Sequence, residues 1–144
     1  MTLVELLVVL AIIGLILGIS VPGLITYSNQ LRLKAATREV VGLLSLARSL
    51  AISSHEDHAV VIDPERREIT VENTVSGEAL ERVIRLPTSI SVGVEVAGEP
   101  AQETRVVFRP TGSLAGRTMS IVLADRNTSH TVTISSITGA VSVE

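Results

Sequence analysis

Hydrophobic positions follow one another almost without interruption near the N-terminus. Leu6–Ile19 contains no polar side chain, and in the twenty residues Leu6–Ile25 the only polar one is Ser20. As an α-helix this stretch is about 30 Å long, which matches the hydrocarbon core of a bilayer. A cleaved secretory signal fits poorly, because no basic stretch precedes the run and no small-residue cleavage site follows it. The pattern therefore predicts a retained transmembrane helix.

Pro22 and Gly23 interrupt this helix without ending it. Proline removes a backbone hydrogen bond and glycine loosens the turn, so we expect a kink or a locally melted turn there. Beyond it, apolar residues recur at a helical period and predict a face that covers a sheet. Val41, Leu46 and Ile52 lie outside that face, and they are either a second contact surface or ordinary exposed apolar residues. The face itself comprises Leu33, Ala36, Val40, Leu43, Leu44, Ala47, Leu50 and Ala51.

From His55 onward the hydrophobic period changes from the helical value to two. Short strands that follow one long helix predict an α+β fold whose antiparallel sheet wraps the helix. We therefore divide the chain into a hydrophobic helix at 1–25, an amphipathic continuation at 26–54 and a β-rich globular head at 55–144. The predicted strands are His58–Asp63, Glu68–Glu72, Leu80–Leu86, Ile90–Val96, Arg105–Phe108, Thr118–Leu123, His130–Ser135 and Ala140–Val143, and loops such as Ala97–Thr104 separate them.

The composition argues against several classes of function. Aromatic residues make up 1% of the chain, as Tyr27 and Phe108, so aromatic platforms for single-stranded nucleic acid are almost excluded. The absence of cysteine excludes disulfides, iron–sulfur clusters, thiolate zinc sites and cysteine nucleophiles. The sequence contains no G-x-S-x-G, P-loop or His-Glu-x-x-His motif, which argues against an enzyme.

The net charge of −3 is unevenly distributed. Residues Gln30–Ser54 carry a net charge of +3, whereas the chain from His55 onward carries −5. A basic helix beside an acidic body indicates contact with a neighbouring acidic surface or with anionic lipid headgroups. The acidic body also argues against general nucleic-acid binding.

Glu5 is an unusual residue because it immediately precedes the apolar run. A carboxylate within a membrane segment costs roughly 2.5–3.5 kcal/mol on insertion scales. Glu5 is either an ordinary acid in the first turn of a helix, where the dipole favours an anion, or a partner for a cation buried in the same layer. In a parallel assembly, the nearest cation is the free α-amino group at position 1 of an adjacent copy. Met1 itself is either an initiator or the first residue after removal of a short leader.

The N-terminal residues resemble those of mature type IV pilins and type II secretion pseudopilins. The resemblance rests on Thr2-Leu-Val-Glu-Leu-Leu-Val-Val-Leu-Ala-Ile-Ile-Gly14, followed by Pro22. The remainder is similar to one branch, the GspH/FimT minor pseudopilins. Three segments carry that similarity: Leu46-Ala-Arg-Ser-Leu-Ala-Ile52, Val106-Val-Phe-Arg-Pro-Thr-Gly112 and Ile134-Ser-Ser-Ile-Thr-Gly139-Ala-Val.

The resemblance implies a pilin fold and a structural role in a filament. A prepilin peptidase would cut a leader before Met1, whose new terminus is usually methylated in this family. The subunit would sit in the bacterial inner membrane, with its head in the periplasm. With an assembly platform it would join a pilus or a secretion pseudopilus, at the cell surface or in the periplasm, through a core of N-terminal helices. Glu5 matches the family position that pairs with the N-terminal amine of a neighbouring subunit.

One alternative function is DNA binding. Some FimT-type relatives are minor pilins that bind DNA for uptake, and the best carriers of that activity here are Arg105, Arg109, Arg117 and Arg126. The tail Ala140-Val-Ser-Val-Glu144 is acidic, which disfavours nucleic acid as a partner. His55-Glu-Asp-His58 offers metal-ligand types, but it runs into a strand, where residues three apart face opposite sides. We therefore interpret it as a polar connector, and we expect no metal and no cofactor.

Overall fold

The computed structural model describes residues 2–102 and 104–144, apart from the side chains at 19–26, 80 and 81. The chain divides into two compact units, Met1–Leu31 and Arg32–Glu144. One long helix, α1, comprises Leu3–Ser54. The strands that follow are β1 (His58–Asp63), β2 (Glu68–Asn73), β3 (Ala79–Arg85), β4 (Ser91–Val96), β5 (Glu99–Ala101), β6 (Arg105–Phe108), β7 (Met119–Ala124), β8 (Ser129–Ile134) and β9 (Val141–Val143).

The second unit, Arg32–Glu144, is the head, and it includes the C-terminal part of α1. Its strands form two antiparallel sheets. One sheet has the order β3-β2-β1-β6 and the other has the order β5-β4-β7-β8-β9. Inward and outward positions alternate along most strands: in β7, for example, Met119, Ile121 and Leu123 are buried while the residues between them are half-buried. This alternation arises because successive side chains of a strand point to opposite faces. A helix with antiparallel sheets confirms the predicted α+β class.

The core of the head forms where α1 meets both sheets. Every residue of the predicted helical face is buried except Leu50, which is half-buried against the core. Val41 and Leu46 are also half-buried and pack on that core, whereas Ile52 is 44% exposed. Phe108, the sole phenylalanine of the chain, is completely buried in the same cluster. Phe108 is the one aromatic residue of this otherwise aliphatic cluster among the described residues.

The loop predicted at Ala97–Thr104 is partly wrong, because it contains β5. Ala97 and Gly98 have φ values of 55° and 85°, which is the conformation of a two-residue hairpin turn. Pro100 pairs with Glu95, a position that sequence rules disfavour for a strand. It is tolerated because β5 is the edge of its sheet.

At Pro22 and Gly23 the backbone belongs to α1, and the predicted kink there stays a prediction. The predicted division into 1–25, 26–54 and 55–144 likewise stays a prediction. Over the portion of the chain that the structure describes, no helix combines the length and the apolar character needed to cross a membrane.

The packing of the head predicts that residues 27–144, produced alone, are soluble and monomeric. The apolar face of α1 is covered by strands of the same chain, so little apolar surface is left to drive association. Light scattering of this fragment checks the expectation against the mass of a single chain. A stable oligomer would show that the head itself carries the main assembly contacts.

Candidate assembly site

The first turn of α1 is closed by two reciprocal hydrogen bonds. The backbone N–H of Glu5 donates to Thr2 Oγ1 at 3.3 Å, and the backbone N–H of Thr2 donates to Glu5 Oε2 at 3.4 Å. This is a capping box, in which a hydroxyl residue and a glutamate three positions later satisfy free amides at a helix start. The Thr-x-x-Glu spacing of this capping box is already present in the sequence at Thr2 and Glu5. Met1 lies outside the described residues.

Beyond the cap, α1 presents apolar side chains all around its circumference. The large hydrophobic residues from Leu3 to Leu17 are between 46% and 78% exposed. Most helices of soluble proteins have an apolar stripe on one side, which they bury. A helix that is apolar on every side needs an apolar environment all around it. Glu5 is the one charged residue in this segment, and it has no cation within ion-pair distance among the described residues.

A second feature joins the end of α1 to two turns of the head. Arg48 Nε donates a hydrogen bond of 3.1 Å to the carbonyl oxygen of Gly112. Gly112 has a φ of 79°, and a Cβ there would lie 2.9 Å from Cδ1 of Ile52. Gly139 has a φ of 61°, and a Cβ there would collide with the carbonyl oxygen of Gly112. The three segments that carry the weaker sequence similarity therefore meet at one point, which we call the glycine junction (Arg48, Gly112 and Gly139).

A known protein family matches most of the chain in sequence. A model of the family described as "Type II transport protein GspH" matches residues 36–139, which include the whole glycine junction. The chain belongs to the GspH family. No curated protein matches the chain in sequence.

The fold of this GspH-family protein is shared with two solved structures. FimU, a type IV minor pilin of Pseudomonas aeruginosa, has a TM-score of 0.66 and 16% identity, over 82% of this chain and 92% of that one. EpsH, a minor pseudopilin of the type 2 secretion system of Vibrio cholerae, has a TM-score of 0.64 and 15% identity, over 78% and 94%. The predicted resemblance to pilins and pseudopilins is thus confirmed. The family consists of structural subunits, so the protein is not an enzyme.

The connector after α1 is built from polar contacts. His55 has a φ of 59°, the left-handed conformation that commonly ends a helix. Asn73 Nδ2 donates to Oε2 of Glu56 at 2.6 Å, and the hydroxyl of Thr74 donates to the carbonyl of Asp57 at 2.7 Å. His58 is 5% exposed and begins β1. Across residues 2–102 and 104–144, no three histidine or acidic side chains cluster closely enough to hold a metal ion.

Among the arginines considered as carriers of DNA binding, Arg105 has a carboxylate partner. Its Nη2 lies 3.3 Å from Oε2 of Glu72 in β2, on the far side of the intervening strand β1. Both side chains are partly exposed, so the pair contributes little to stability. The carboxylate of Glu72 neutralises the positive charge of Arg105, which a contact with a DNA phosphate would require.

The glycine junction predicts that Gly139→Ala destabilises the head more than a glycine replacement in an open turn. Gly77→Ala is the matched control, since Gly77 has a φ of 70° and no atom within 4 Å of its added Cβ. The control carries only the cost of the left-handed conformation, about 1–2 kcal/mol. Gly139→Ala should lose about 1.5–3 kcal/mol more, because the displaced turn breaks the bond from Arg48 to Gly112. Urea unfolding of both variants measures the difference, and equal values would contradict the role of the junction.

Proposed function

We propose that this protein is a minor subunit of a type II secretion pseudopilus or a related type IV pilus-like filament. The observation that carries the proposal is the combination of a GspH-family head with a helix whose first turns are apolar on every side. Strands of the head bury the apolar face of the helix segment within it. By contrast, no described residue covers the apolar side chains of Leu3–Leu17. A bundle of such helices from several subunits would supply that cover.

Before assembly, the same segment would anchor the subunit in the bacterial inner membrane with the head in the periplasm. The sequence Leu6–Ile25 supports this, since its twenty residues include one polar side chain. In this proposal the membrane and the filament core are alternative apolar environments for one helix. Prepilin peptidase and the assembly platform would be the partners that move the subunit from one to the other.

Glu5 would then have two successive roles. In the single chain it caps its own helix through Thr2, and its charge faces no cation among the described residues. In a filament core the carboxylate would leave water, and an isolated charge there is costly. The N-terminal amine at position 1 of a neighbouring subunit is a cation that a parallel helix bundle brings to the same level. We infer that this pair sets the axial register between subunits.

DNA uptake is a less well supported function. The acidic residue Glu144 ends the described tail, and Arg105 is paired with Glu72. A gel-shift titration with double-stranded DNA at low salt distinguishes the two functions, because phosphate contacts give strongly salt-dependent binding.

We expect Leu15→Arg to release much of the protein from the membrane. An arginine near the middle of a span costs about 2.5–3.5 kcal/mol on insertion scales, which is roughly a hundredfold in partitioning. Ser45→Arg, on the exposed part of α1 in the head, is the control and should stay membrane-bound. Alkaline extraction of membranes, followed by detection of the protein in pellet and supernatant, measures the partition. Retention of Leu15→Arg at the level of the control would exclude this segment as the anchor.

Replacement of Glu5 separates its capping role from its role in assembly. Glu5→Gln keeps an acceptor for the N–H of Thr2 but lacks the charge, whereas Glu5→Ala lacks both. We expect both variants to fold and to enter the membrane, and both to be incorporated into filaments at least tenfold less than the wild type. Sheared-filament yields and membrane fractionation provide the two measurements. Normal incorporation of Glu5→Gln would assign Glu5 to the helix cap alone.

A further inference from the structure

The five-stranded sheet of the head has one edge with free backbone groups. Thr131 and Glu144 exchange two backbone hydrogen bonds of 2.9 Å, so they form a hydrogen-bonded pair. Bonded and non-bonded pairs alternate along an antiparallel ladder, which places Val141 and Val143 in non-bonded pairs with β8. The N–H and C=O groups of these two residues therefore point away from the sheet. Within the described residues, no further strand lies beside β9.

A groove runs beside this edge, between β9 and α1. It consists of two adjoining cavities that share Val41, one of them lined also by Val143 and the other by Val141. Val143 is 47% exposed, while Val41 and Val141 are half-buried. A strand added to β9 would place every second side chain over this groove, because side chains on one face recur with a period of two.

The rim of the groove is basic at the end near Val143. Lys34 and Arg38 of α1 lie there, together with His130 of β8. The ion pairs among the described residues involve Arg66, Arg85 and Arg105, so no carboxylate of the described residues is paired with Lys34 or Arg38. An occupant with a carboxylate at this end would match the charge of the rim.

A second copy of the chain fits this edge poorly. In an antiparallel pair of β9 strands, each copy would place its residues 139–141 beside Lys34 and Arg38 of the other, and those residues include no carboxylate. The opposite edge of the same sheet is β5, which follows the two-residue turn between Val96 and Glu99. The next pair along this hairpin, Glu95 with Pro100, is a non-bonded pair. The outward-facing nitrogen of Pro100 carries no hydrogen, which blunts that edge.

We propose that β9 and the adjoining groove receive an extended segment of another protein as an added strand. The segment has apolar side chains over Val41, Val141 and Val143, and a carboxylate beside Lys34 and Arg38. Main-chain hydrogen bonds to Val141 and Val143 give affinity, and the basic rim gives selectivity for acidic segments. The site lies in the head, apart from the N-terminal segment, and it does not depend on filament assembly.

The test uses the full-length protein in detergent micelles, labelled with nitrogen-15, and a blocked synthetic peptide. The peptide Glu-Thr-Val-Thr-Val-Thr-Glu places both glutamates and both valines on one face in either strand direction. We expect saturable shifts of the amide signals of β9 and of the Lys34–Val41 segment. The same peptide with lysine in place of both glutamates should bind at least tenfold more weakly.

Two sets of variants decide between the proposal and unspecific binding. The double variant Lys34→Glu and Arg38→Glu should reverse the preference, so that the lysine peptide binds at least tenfold more tightly than the glutamate peptide. Val143→Pro removes an outward N–H that β8 does not use, so it should fold normally and lose binding of both peptides. Val143→Thr keeps that N–H and serves as its matched control, which should bind.

Several results would overturn the proposal. They are the absence of binding at the highest soluble peptide concentration, equal binding of the two peptides, shifts centred on another strand, and wild-type binding by Val143→Pro. Concentration-dependent shifts of β9 without peptide would identify a second copy as the occupant and would also overturn it. The amide spectrum of each variant reports its folding, so loss of binding is separated from loss of structure.

Discussion

The fold of the head depends on burial of the apolar face of α1 between Leu33 and Ala51. A helix of this composition cannot leave that face in water, and strands of both sheets contribute the side chains that bury it. Ile121, Leu123, Val132 and Ile134 come from the five-stranded sheet. The four-stranded sheet contributes a matching set, which includes Val60 and Phe108. The apolar face of α1 in the head is therefore buried within one chain, whereas the large apolar side chains of the N-terminal turns are exposed.

The glycine junction explains why weak sequence similarities can mark one structural unit. Gly112 and Gly139 lie far apart in sequence, yet each occupies a left-handed conformation next to the other and to Arg48. A side chain at Gly139 would displace the backbone of the first turn, so the two turns constrain each other. Arg48 donates to a carbonyl rather than to a carboxylate. Although Arg48 belongs to the basic segment Gln30–Ser54, this hydrogen bond fixes its guanidinium against the turn at Gly112, whereas Lys34 and Arg38 border the groove beside β9.

Much of this fold could be predicted from the sequence because its periods are clear. Val40, Leu43 and Leu44 recur at a helical spacing, and the alternation in Glu68–Glu72 gives a strand of the observed type. The short strand β5 could not be predicted, since Pro100 and a positive φ at Ala97 are exceptions that only its place at the sheet edge permits. The glycine junction and the groove beside β9 could not be predicted either, because contacts such as Arg48 to Gly112 depend on tertiary packing. The charge of Glu5 was evident from the sequence, while its hydrogen bonds with Thr2 required the backbone of the first turn.

The two edges of the five-stranded sheet show how the head could stay monomeric and still offer a site. An open edge is an aggregation hazard, because any extended chain can pair with it. At β5 the hazard is reduced by Pro100, whose outward nitrogen cannot donate. At β9 the backbone groups of Val141 and Val143 remain free, but Lys34 and Arg38 border the same groove. In the proposed complex these basic side chains would attract an acidic strand, whereas the residues that a second copy would place beside them include no carboxylate.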